Sequence, residues 1–175
     1  MPDVFDSFLE NPTGESFRAM REMLLQQPEY DFQSKALAEV EDLAAEEEFE
    51  DVLDRGAEAM PEWLLSPSMH QYLADAAMET GDEDRARSEE YLMKACLRGL
   101  AQSGDGTPEQ PYLVMHPADE YDLVESLGKE AASQSKAQTG QRSLDRIRCS
   151  DGTDLYFDIT EGTAQGAARA NTGIA

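Results

Sequence analysis

The stretch best equipped for chemistry is Gly104-Asp105-Gly106-Thr107, because a short acidic glycine loop is a place where a chain can cradle a phosphate or a cation. It lacks the Gly-x-x-x-x-Gly-Lys-Ser/Thr pattern of a phosphate loop. Thr107 and Glu109 also fail to complete the alternating acids of a calcium loop. The plainer account is a helix C-cap followed by an Asx-type turn. Asp105, and Tyr112 just after Pro111, are its candidate ligand residues.

Arg142, Arg146 and Arg148 form the second constellation. Even-numbered residues of one strand share a face, so they make a basic stripe on an acidic chain, and arginine recognises carboxylates and phosphates bidentately. Pairing with Asp154, Asp158 or helix glutamates is the structural alternative. Trp63, followed by Leu64 and Leu65, could anchor a partner or pack in the core. His70 and His116 have no second histidine or cysteine at ligand spacing. Cys96 falls on an apolar helix stripe, and Cys149 ends a strand beside a turn. No catalytic residue, metal site or cofactor is therefore assigned.

Charge narrows the partners. The 175 residues carry 37 acidic and 14 basic side chains, a net charge of −23. Residues 1–60 hold 17 acids against 4 bases, residues 61–101 hold 8 against 4, and residues 102–175 hold 12 against 6. Such a field repels nucleic acid and anionic membrane and favours a basic protein partner. Four lysines against ten arginines on a glutamate-rich chain also suit solubility in a salty cytoplasm. Two cysteines, no basic-then-apolar leader, and no run near the ~18 apolar residues of a membrane span lead us to expect a cytoplasmic protein.

The elements that must position these residues follow from periodicity. A short lead with Phe5, Phe8 and Leu9 should pack on a first helix, capped by Asn11 with Pro12 at its first position and ended by Pro28. Apolar spacing from Gln33 to Met60 is helical, with a phase break at Glu46-Glu47-Glu48 that predicts two helices. Ser66-Pro67 starts the next helix, and Thr80-Gly81-Asp82 separates it from another that carries Cys96 and Leu100. Pro111 to Met115 reads as a strand, Ala118 to Gly128 as a short helix with its stop, and residues 129–141 as at most a weak strand near Gln134. Strands 143–149 and 153–159 flank the hairpin signal Asp151-Gly152. From Glu161 onward the composition predicts a disordered tail.

Leu73-Ala74, Ala77, Gly81-Asp82 and Ala86 resemble the first helix and turn of a tetratricopeptide repeat, with a weaker unit beginning at Leu37-Ala38. Glu89 and Glu90 depart from that pattern. From Pro61 to Thr160, the string of Ser103-Gly104-Asp105-Gly106-Thr107, Pro111-Tyr112, Asp119-Glu120-Tyr121-Asp122, Leu127-Gly128, Cys149-Ser150-Asp151-Gly152 and Leu155 to Ile159 resembles a bacterial domain of unknown function that follows tetratricopeptide-like helices. This resemblance implies no activity.

The expected fold is α+β: tetratricopeptide-like antiparallel helices over residues 1–102, packed on a strand, helix and hairpin module over 103–160, with a tail over 161–175. The expected function is non-enzymatic binding of a basic protein, one version being an antagonist or immunity-like protein. The alternative is a small enzyme or anion-binding domain that uses the 103–107 loop and the arginine-lined strand.

Overall fold

The computed structural model describes residues 4–164. Helix α1 spans Val4–Glu10 and α2 spans Gly14–Leu25. Their junction is where the expected Asn11 cap fails. Thr13 is the N-cap: its hydroxyl accepts from the Ser16 N–H at 3.2 Å, and Ser16 Oγ accepts from the Thr13 N–H at 2.9 Å. A reciprocal pair satisfies two helix-end donors where Asn11 would satisfy one, and it shifts the start by two residues. The lead packs as anticipated, with the Phe8 ring 6.3 Å from Phe17.

Helices α3 (Ala36–Ala45) and α4 (Phe49–Glu58) break at the triple glutamate, where Glu47 adopts φ +59. Helix α5 (Pro67–Glu79) starts at the Ser66 cap with Pro67 in its first turn. Asp82 caps α6 (Glu83–Ala101) after Gly81 turns the chain at φ +83. Two helix crossings are set by glycine. A Cβ on Gly56 of α4 would lie 2.4 Å from Leu73 of α5, and one on Gly99 of α6 would lie 2.8 Å from Phe17 of α2.

The other half is a four-stranded mixed sheet in the order β1-β4-β3-β2, joined by helix α7 (Pro117–Ser126). Strand β1 is Tyr112–Leu113, β2 is Ala131–Thr139, β3 is Arg142–Cys149 and β4 is Asp154–Asp158. β1 lies parallel to β4, and the other pairs are antiparallel. The register sets Asp145 opposite Phe157 and Ile147 opposite Leu155 on one face. Arg146 opposite Tyr156 and Arg148 opposite Asp154 lie on the other.

Several sequence expectations change here. β1 has two residues rather than five, because the chain turns at Met115 and His116 to meet Asp119. β2 runs nine residues, although its Ala, Ser and Gln side chains carry no strand pattern. Its order comes from pairing with β3 along almost its whole length. The β3–β4 connection takes residues 150–153, with Asp151 Oδ1 accepting from the Thr153 N–H at 2.8 Å and Gly152 at φ +85. The expected disorder from Glu161 is corrected as far as Ala164. Residues 160–164 form a helical turn, Gly162 sits against the Phe32 ring, and Arg21 Nη1 lies 3.6 Å from Glu161 Oε2. The rest of that tail lies outside the described residues.

The hydrophobic core does not divide at residue 102. One cluster joins Phe8, Phe17 and Leu24 to Leu100 and to Leu123, Ile147 and Phe157 of the sheet half. A second holds Leu37, Val40, Val52, Trp63, Met69 and Leu73. Helices α1, α2 and α6 thus share their interior with the sheet, while α3 and α4 pack on each other and on α5.

Candidate functional site

The pivot loop closes on itself. Asp105 Oδ1 accepts from Thr107 N–H at 3.0 Å and from Thr107 Oγ1 at 2.6 Å, which holds its carboxyl below the usual range. Gln110 O receives both the Asp105 and the Gly106 N–H. Ser103 Oγ donates to Leu100 O and accepts from the Leu113 N–H, tying the end of α6 to β1. Tyr112 is 7% exposed beneath this loop, its ring 5.8 Å from Phe157, and burial raises its phenol pKa. Arg142 clasps the loop through the carbonyls of Pro108 (3.2 Å) and Glu109 (3.1 Å). Arg146 and Arg148 share Asp154 at 2.8 Å and 2.6 Å. Arg142 is thus bonded to the loop, whereas Arg146 and Arg148 are bonded to Asp154 of β4.

Trp63 is 3% exposed, so it offers no surface anchor; its indole stacks on His116 with centroids 3.8 Å apart and planes 5° apart. His116 is one member of a buried polar joint that sequence reading missed. Burial drives its imidazole pKa down to about 4, so the ring is neutral, with Nε2 3.3 Å from Glu62 O. Asp119 Oδ2 receives the backbone N–H groups of Met115 (2.9 Å) and His116 (2.8 Å), while burial lifts its pKa to about 7. The Tyr30 hydroxyl donates to Met115 O at 2.5 Å, and Arg21 Nε donates to Val114 O at 3.1 Å. This joint locks the turn after β1 to the helices. His70 is structural too: it lies between Glu89 Oε2 (2.7 Å) and Leu64 O (2.9 Å), 1% exposed.

On the core face of the sheet, Glu120 of α7 meets Asp145 of β3, both at most 1% exposed. Burial, followed by the charge of the neighbouring Asp145, raises Glu120 to about 9, so Glu120 holds its proton in the fold. Gln134 Nε2 donates to both, at 3.0 Å and 3.1 Å, and Lys136 Nζ lies 2.7 Å from Asp145 Oδ1. With an ammonium already filling the cation position, this cluster is a strut between α7 and β2. Asp119 and Glu120 read in sequence as ordinary first-turn acids. Only packing makes them interior.

An open concavity of about 400 Å³ lies between α5, α6 and α7. Pro67, Met93 and Leu97 form apolar wall, and Ser68, Asp122 and Glu125 form the polar side. Asp122 is preset: its Oδ2 receives the Ser68 N–H at 3.0 Å and its Oδ1 the Ser68 hydroxyl at 2.5 Å. Burial raises its carboxyl, and so does the Glu125 charge. No lysine or arginine lines the groove among the described residues. The nearby Tyr72 phenol is raised by burial and then by the charges of Glu41, Asp75 and Asp122, which marks an acidic surface running from α3 across α5 to α7. In sequence these residues were visible only as the Ser66-Pro67 start signal, the helix that carries Cys96 and Leu100, and the short helix from Ala118 to Gly128.

Among the described residues, no group of three or more histidine, cysteine or acidic side chains could hold a metal ion, and no helix is long and apolar enough to cross a membrane. No curated protein and no solved structure matches the chain. A family model does, and it spans residues 14–165, so it takes in α2 to α6 as well as the sheet half instead of following the helices. By that match the chain belongs to DUF4919, a domain of unknown function.

Proposed function

We propose that this protein is a non-enzymatic module that binds a basic protein through its acidic helical surface. The observation that carries the reading is the α3–α4 hairpin. Residues 36–54 hold nine acids and no lysine or arginine, and the side chains of Glu41, Asp42, Glu46, Glu48, Glu50 and Asp54 are exposed. At its tip Glu47 sits at φ +59, a conformation glycine adopts without cost, between two further glutamates. A turn that keeps three like charges and a strained backbone is better matched to an outside cation than to stability. In this reading α3 to α6 are tetratricopeptide-like antiparallel pairs, the compartment is the cytoplasm, and the finer role is that of an antagonist or immunity-like protein for a basic partner.

Affinity capture from native lysate, at low and moderate salt, tests this with the wild type beside Glu46→Lys/Glu47→Lys/Glu48→Lys. The expected result is a stoichiometric basic protein that is held by the wild type and lost with the charge reversal. Retention of the same protein by both, or of nothing at either salt, rejects the reading.

A further inference from the structure

We infer that the groove between α5, α6 and α7 seats an arginine side chain of the basic partner, its aliphatic stem on Met93 and Leu97 and its guanidinium against Asp122 and Glu125. This inference rests on the reading that the partner is a basic protein, and it adds the place and the residue type by which that protein is held.

Three features support it. The α7 side of the groove is acidic through Asp122 and Glu125 and, among the described residues, the lining contains no cation of its own, so an incoming positive charge meets an uncompensated field. Asp122 needs no reorganisation: Ser68 fixes both its oxygens, and a carboxylate oxygen that accepts one hydrogen bond retains a lone pair for a second. Glu125, one turn further along α7 and exposed, brings a second carboxylate to the same groove, and a guanidinium carries donors enough for both. The apolar wall decides between the two basic side chains. Met93 and Leu97 are only partly buried, and the weakly hydrated guanidinium loses less than an ammonium on entering such a slot. A second copy of this chain is disfavoured as occupant by its own net charge of −23.

The test is a methionine-methyl NMR titration of the full chain with acetyl-arginine amide, acetyl-lysine amide and acetyl-citrulline amide, the last a neutral isostere of the first. The expected result is a saturable shift at Met93 with arginine, with the fully buried Met20 and Met69 unmoved. The lysine compound should bind several-fold more weakly and citrulline should give no saturation. Glu125→Gln should weaken the arginine affinity about fivefold and Asp122→Asn about tenfold. Because Asp122 also holds the start of α5, Glu125→Gln is the decisive variant if Asp122→Asn loosens the fold. Equal binding of citrulline, a shift at Met93 that does not saturate, or unchanged affinity in Glu125→Gln overturns the inference. The outcome is separable from that of the hairpin experiment, since the small probes report the groove alone. A partner lost on hairpin reversal with a silent groove rejects only the arginine seat, and a groove that binds beside an indifferent hairpin rejects only the hairpin reading.

Discussion

The α3–α4 hairpin and the contact between α7 and the sheet are both acidic, and they use their acids in opposite ways. Along the hairpin Glu41, Asp42, Glu46, Glu48, Glu50 and Asp54 stand in water, while Arg55, the base of α4, pairs with Glu39 at 2.6 Å. Against the sheet, Asp119, Glu120 and Asp145 are at most 2% exposed, and each is held by named donors. A solvated carboxylate costs the fold little beyond mutual repulsion, whereas a buried one must be neutralised or bonded. The same residue types therefore make a field on one side of the molecule and a joint on the other.

The sharpest break in that comparison is Asp119→Ala. It leaves the buried N–H groups of Met115 and His116 without their acceptor and should cost about 2–4 kcal/mol, read as a lower midpoint in urea unfolding. A change within about 0.5 kcal/mol, the range of ordinary surface substitutions, would put Asp119 in the same class as the hairpin acids.

Glu120 gives the same contact a dependence on pH. Its pKa in the fold, about 9, lies above the ordinary 4.5, so the folded state holds a proton that the unfolded chain releases between those values. Its stabilising contribution is complete below pH 4.5 and is lost as pH rises toward 9, with a slope of at most about 1.4 kcal/mol per pH unit. Glu120→Gln imitates the protonated acid, so its stability relative to wild type should climb across that window. A flat difference between the two proteins would show that Glu120 is charged in the fold. His116 runs the other way: with its pKa lowered to about 4, it stabilises fully above pH 6.5 and less as pH falls toward 4.

On the hairpin side, Glu47→Gly relieves the left-handed strain at φ +59 and should raise stability by about 0.5–1 kcal/mol in thermal unfolding. Loss of stability there would mean that Glu47 makes a contact worth more than its strain. Smallest of all, Glu50→Gln should move stability by less than about 0.5 kcal/mol while reducing its dependence on salt. A larger effect would place Glu50 in a bonded network like that of Glu120.

Much of the helical half was legible in the chain. The break at Glu46 to Glu48, the Ser66 cap and the Gly81-Asp82 turn are local devices, and each satisfies backbone groups within a few residues. The alternation that sends Leu155, Phe157 and Ile159 inward was legible for the same reason. β2 was not, because a Ser, Gln and Ala strand is ordered by its neighbour. Trp63 was ambiguous for a comparable cause: whether an indole meets solvent or His116 depends on a residue more than fifty positions away.

Taken alone, the sequence determined most of the helices and the β3–β4 pair, the net charge and its concentration in the first sixty residues, since propensity, capping and ionisation act over a single turn or on single groups. Tertiary structure decided which acids are interior, that the core runs across residue 102, that the arginines of β3 are bound to Asp154 and the pivot loop, and that Ser68, Met93, Leu97, Asp122 and Glu125 face one groove. The physical reason is that burial and convergence depend on distance in space, which chain separation does not encode once three helices from different parts of the sequence meet.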